Sequence, residues 1–248
     1  MRREQVRCPL ELDLVMAPQP LSRVRPKALV SASPEAIALR PKLAPLIAEI
    51  IARWADIEAN TGTILSYILR AEAAPTAAML YAVRSSSAQM KMILAGGWAK
   101  LFDPQLEIFE AVIQIALTVG KKRNAIAHHV WGYTAELPEA LLLIKPEAYS
   151  DMFVELQKVF ESPDTRWTLL QTDNERTLVY RENDFHEIIA ELKIVARCTT
   201  FLINYLEPKH TARDQMYSML CNEPLIDAAL LSIRKSRPPR PRPQNKSG

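Results

Sequence analysis

A mainly helical α+β fold is predicted for this chain: a four-helix up-and-down bundle with a small antiparallel β insertion before the last long helix. Three observations predict it. Apolar residues recur three and four apart over long stretches between residues 43 and 206. Between residues 132 and 181 that spacing gives way to short apolar runs separated by turn residues. The chain is 248 residues long and 48% hydrophobic, enough to bury a sizeable core without staples.

Residues 1–40 hold Pro9, Pro18, Pro20, Pro26 and Pro34 with little periodicity, so an extended or disordered N-terminal arm is expected. A helical domain is expected over 41–233. Its first helix runs from Leu43 to Arg70, with Leu43, Ile47, Ile50, Trp54, Ile57, Ile64 and Ile68 on one stripe. Pro75 suits the start of a second helix, which carries Met79, Leu80, Val83, Met90, Ile93 and Leu94 and weakens at Gly96-Gly97. Asp103-Pro104 signals a third, with Asp103 as N-cap and Phe109, Val112, Ile113, Ala116 and Leu117 buried. Gly120 ends that helix, kinks it, or is tolerated within it. Trp54, Trp98 and Trp167 read as packing residues.

After Trp131 two short strands are expected around Leu137-Pro138-Glu139, then a helix over 147–160. A hairpin turning at Thr172-Asp173-Asn174 follows, and the whole insertion covers about 132–181. Asp184 is expected to cap a long amphipathic helix that Pro208 stops, with one or two shorter helices to about Ile233. Residues 234–248 are basic and proline-rich. They are expected as a solvated, disordered tail, either solubilising or binding a phosphate backbone or partner.

The formal net charge of +3 conceals a division: +4 over residues 1–42, −7 over 43–233 and +6 over 234–248. An acidic folded part argues against a broad nucleic-acid-coating surface, though Lys121-Lys122-Arg123 can make a small basic site. Cys8, Cys198 and Cys221 lack metal or disulfide spacing, and no P-loop or EF-hand occurs, so no metal and no cofactor are expected. No apolar run reaches the ~20 residues of a membrane span. A cytoplasmic protein without membrane contact is expected.

The most informative stretch is "KKRNAIAHHVWGY", residues 121–133, which holds two of the four histidines. Cleaving RNA through its own 2′-hydroxyl needs a base for that hydroxyl, an acid for the leaving 5′-oxygen and a cation on the phosphorus oxygens. Histidine suits the proton transfers near neutral pH, and arginine suits the phosphate. Arg123, Asn124 and His128 supply these groups. On a helix Asn124 and His128 share a face, whereas Arg123 is rotated from His128 by about 140°. His129 fits as an alternative histidine, pointing to solvent or to a partner. Lys122, Arg84 and Trp131 are auxiliary candidates: the cations for added positive charge, the tryptophan for stacking a base.

"RNAIAHH" resembles the R-x4–6-H motif of the HEPN superfamily, in the form with a polar residue after the arginine and a small one before the histidine. Arg181 to His186 also fits the bare spacing, but Glu182, Asp184 and Glu187 beside it would oppose a phosphate. The resemblance covers residues 43–131 and 184–206. It implies a helical bundle, usually dimeric, and often a metal-independent ribonuclease, including toxins and phage-defence effectors. In such proteins the arginine and histidine of two protomers meet across a two-fold axis. It therefore implies an endoribonuclease that works as a homodimer on RNA, with His128 as acid/base, Arg123 on the phosphate and Asn124 orienting His128 or the phosphate. An antitoxin is an implied protein partner. The competing reading is a non-catalytic dimerisation or nucleotide- or partner-binding module.

Overall fold

The computed structural model describes residues 18–161 and 174–236. In chain order the elements are β1 (Gln19–Pro20), α1 (Leu21–Val24), β2 (Ser31–Ala32), a short 3₁₀ turn (Pro34–Ala36), α2 (Leu43–Leu69), α3 (Ala73–Ala82), α4 (Ser86–Lys100) and α5 (Gln105–His128). There follow β3 (Val130–Tyr133), β4 (Leu141–Ile144), α6 (Pro146–Glu161), β5 (Thr177–Tyr180), α7 (Glu182–Leu206), α8 (Arg213–Cys221) and α9 (Pro224–Ser236). They divide into two compact units. Among the described residues, one comprises 18–40, 130–161 and 174–184, the other 41–129 and 185–236.

The first unit holds an antiparallel five-stranded sheet of order β1-β5-β4-β3-β2. Its middle strand β4 is the uninterrupted apolar run Leu141–Ile144, buried at all four positions, as a strand covered on both faces must be. Residues 18–40, expected as an arm, instead supply both edge strands. Pro20 sits on an edge strand, where a missing N–H costs no ladder bond. Leu21 is fully buried with Ala28, Leu137, Ala140, Leu142 and Val179. Ser33 caps the following turn, its Oγ accepting from the Glu35 amide at 3.1 Å. The strand expected before the 172–174 turn, Trp167, residues 1–17 and residues 237–248 of the expected basic tail lie outside the described residues.

Arg40 closes this unit. It is 8% exposed. Its Nε donates to the Ala140 carbonyl at 2.9 Å, and its Nη2 donates to those of Thr134 and Leu137 at 3.2 Å each. The 134–140 loop thus turns three carbonyls onto one guanidinium.

In the helical unit the long first helix ends at Arg70, whose left-handed backbone (φ 54°) breaks it. The single second helix expected from Pro75 is two helices. The segment 83–85 interrupts it because Ser85 turns its hydroxyl onto the Ala88 amide and starts a new helix. Gln89 then clips the C-terminal end of α3 through the Leu80 and Val83 carbonyls. Leu80, Met90 and Ile93 are buried as expected, but Met79 is not. Glu58 meets Ser86, and Leu65 lies beside Gly96, so α4 runs in the same sense as α2 and α5 returns beside it.

The glycines have packing roles. A Cβ on Gly97 would lie 2.1 Å from Phe109 Cε1, and one on Gly120 would lie 2.5 Å from Trp54 Cη2. Gly120 is therefore neither the end nor a kink of α5; it lets α2 approach. Gly97→Ala is expected to destabilise by about 1–3 kcal/mol, because the fully buried Phe109 ring has nowhere to move. This exceeds the ~1 kcal/mol gained in helix propensity. The check is chemical denaturation of Gly97→Ala alone and with Phe109→Leu, where relief of the clash should make the two changes cost less than their sum.

Two expected caps differ. The residue preceding α5 is Pro104, with no side-chain cap, so Asp103 lies one position too early. Helix α7 begins at Glu182, and Asp184 works from its first turn, its Oδ2 accepting from the Arg181 amide at 2.6 Å. Burial raises the Asp184 carboxyl above its ordinary value, against the lowering effect of that amide and of the Arg181 charge. Trp98 is half-exposed, not packed within. The basic stretch starting at Arg234 begins as the last turn of α9, where Arg234 Nε and Nη2 donate to Glu107 Oε2 at 3.0 and 2.8 Å.

Candidate functional site

The final two turns of α5 carry the candidate residues. The helix continues past Gly120 because that residue is buried against Trp54. It stops after His128 because His129 takes an extended backbone (ψ 152°), with its N–H on the Ala125 carbonyl at 3.0 Å. Val130-Trp131, β-branched and aromatic, then begin a strand. Asn124 and His128 are one turn apart and both exposed. Arg123 is half-buried, and its Nη1 donates to Asn124 Oδ1 at 3.1 Å. That bond orients the amide: with Oδ1 accepting from the guanidinium, the Asn124 NH₂ is left facing outward as a donor. His128 is the last helical residue, four after Asn124, so the two share a face. His129, expected to point to solvent or a partner, is instead the half-buried cap, with its Nδ1 buried.

The auxiliary candidates fare differently. Lys122 Nζ lies 2.6 and 2.7 Å from the two carboxylate oxygens of Glu191 on α7. The pair is partly exposed, so it adds little stability, but it neutralises the lysine locally. Arg84 is exposed in the break between α3 and α4, not on a helix. Eleven residues of α4 separate Ser86, just after Arg84, from Gly97, and fifteen of α5 separate Phe109 from Asn124, about 16 and 22 Å of helical rise. Arg84 thus belongs to the same end of the α4–α5 pair as Asn124. Trp131 belongs to the sheet unit, in β3 opposite Leu143.

Lys121, read from the sequence only as part of a small basic cluster, stands out in the structure. It is exposed and stands three and seven residues before Asn124 and His128, on one stripe with them. A groove of about 270 Å³ also flanks α5, against α9, floored by Ile115, Val119 and Ala229 and ended by Glu191. Its α5 lining runs from Gln114, about 20° from Lys121 around the helix, to Val119, half a turn from His128, so the groove starts beside the candidate stripe and turns away from it. Among the described residues no group of three or more His, Cys, Asp or Glu side chains is placed to hold a metal ion. Nor does any helix among them have the length and apolarity to cross a membrane.

No family model, no curated protein and no solved structure matches this chain.

Proposed function

We propose that the helical unit is a HEPN-like bundle acting as a metal-independent endoribonuclease in a homodimer. The carrying observation is the arrangement of Arg123, Asn124 and His128: an exposed imidazole one turn from an exposed amide whose oxygen is held by the guanidinium. In the proposed reaction the RNA 2′-oxygen attacks phosphorus as its proton passes to one imidazole. The P–O5′ bond breaks, and the 5′-oxygen takes a proton from a second imidazole. The products are a 2′,3′-cyclic phosphate and a free 5′-hydroxyl. Arg123 meets the charge that grows on the phosphorus oxygens, and the Asn124 NH₂ donates to one of them. One chain offers one exposed histidine on this stripe, so the second is assigned to a partner copy.

A homodimer is supported by the surface of α3 and α4. No charged residue occurs from Ala73 to Val83, yet Met79 is 60% and Tyr81 51% exposed, and α4 adds Met92 at 42% and Trp98 at 49%. Met79 and Tyr81, two residues apart, lie on different faces of α3, so a wide part of that uncharged helix is open to a partner. Arg84 lies at the junction of these helices. Tyr81→Asp with Met79→Asp is expected to convert a dimer to a monomer in sedimentation equilibrium and to abolish cleavage. A wild-type monomer that cleaves RNA would end the composite-site reading.

The direct test is EDTA-treated protein with end-labelled RNA, where 2′,3′-cyclic ends are expected. Inert protein that binds RNA or another partner supports the second reading, a non-catalytic dimerisation or binding module. The Lys122–Glu191 pair favours that second reading, since it removes one cation beside the motif. A ribonuclease of this kind needs restraint in its cell, which is the place for an antitoxin or a phage-defence partner.

A further inference from the structure

We infer that Lys121 is a substrate-binding residue that grips RNA at a phosphate neighbouring the one cleaved, forming one strip with Asn124 and His128. The inference rests on the ribonuclease reading and adds to it how the strand is held.

Of the two adjacent lysines the structure separates the roles. Lys122 turns about 100° away from Lys121 around the helix and gives its ammonium to both oxygens of Glu191. Lys121 is exposed, and among the described residues no ion pair engages it. Residues 121, 124 and 128 fall within about 60° of one another on the helix surface. Lys121 and His128 are seven residues apart, ~10 Å along the axis. That span is too long for both to serve one phosphate and suits two successive positions of a strand. The folded part is acidic overall, so RNA needs a local strip of this kind and not a broad basic face.

A lysine in the penultimate turn also complements the helix dipole, a stabilising role that leaves counterion release unchanged. The salt dependence of binding separates the two. The full-length protein is titrated with a fluorescent 2′-O-methyl oligoribonucleotide, which cannot cleave itself, over a series of NaCl concentrations. Lys121→Ala is expected to weaken binding and to reduce the slope of log K against log salt by ~0.7, one single-strand phosphate contact. The charge-conserving double variant Lys122→Met with Glu191→Gln is expected to keep the slope. An unchanged slope in folded Lys121→Ala, or a loss shared equally by the double variant, overturns the assignment. A Lys121 effect on binding in a protein that cleaves no RNA leaves the strip standing and removes the ribonuclease. Cleavage by wild type with an unchanged Lys121→Ala slope removes the strip alone. Absence of any RNA binding removes both.

Discussion

Replacing His128 by alanine is expected to slow RNA cleavage by about 10²–10⁴-fold, the contribution of one positioned acid/base group. The fold should tolerate the change. His128 is exposed at the last position of α5 and buries nothing. A C-terminal histidine is worth at most ~0.3–1 kcal/mol to its helix. Thermal melts should therefore barely move while activity falls. His129→Ala is the paired control, because His129 is the cap of α5 and lies off the Asn124 face. Its effect is expected to be smaller than that of His128→Ala, because no proton transfer is assigned to it. A large loss in His129→Ala with an active His128→Ala would exchange their roles. A folded His128→Ala protein that cleaves at the wild-type rate removes this histidine from the chemistry.

The largest stability effect is expected at Arg40, in the sheet unit. Arg40→Met keeps much of the buried stem and removes the donors from the carbonyls of Thr134, Leu137 and Ala140. Leaving a buried acceptor unpaired costs about 1–3 kcal/mol. The loss is offset in part by no longer desolvating a charge, and by water reaching the loop. A net destabilisation of about 2–4 kcal/mol is expected, the cost of the unpaired carbonyls less those offsets. Arg40→Lys should recover only part of it, because one ammonium cannot span carbonyls set around a planar fork. Hydrogen exchange should rise first at the amides around residues 134–140. The contact with the Tyr133 ring, 5.9 Å from the guanidinium carbon, goes with it. Wild-type stability in Arg40→Met would mean that the loop holds its own shape.

Much of the architecture was legible because its causes are local. The stripe through Ile47, Ile50, Trp54, Ile57 and Ile64 marks α2, and the stripe through Phe109, Val112, Ile113 and Ala116 marks α5. Both are buried where the period puts them. The Leu141–Ile144 run reads as a strand and is one. The break at 83–85 was visible in principle, since a serine run offers N-caps, but helical spacing on both sides disguised it. Prolines in residues 18–40 suggested an unstructured arm because proline cannot donate to a ladder; at a sheet edge that donor is not required.

Of the candidate site, the sequence alone determined which groups recur within two helical turns: Asn124 and His128 share a face because 3.6 residues make a turn, whatever surrounds them. Tertiary structure decided which charges remain available. Glu191 is 69 residues from Lys122 in the chain, and only the packing of α7 beside α5 brings its carboxylate to that lysine and leaves Lys121 outward. Likewise only the approach of Trp54 explains a glycine inside α5. Periodicity and capping act over a few residues, whereas ion pairing and close packing depend on which distant segments the core brings together.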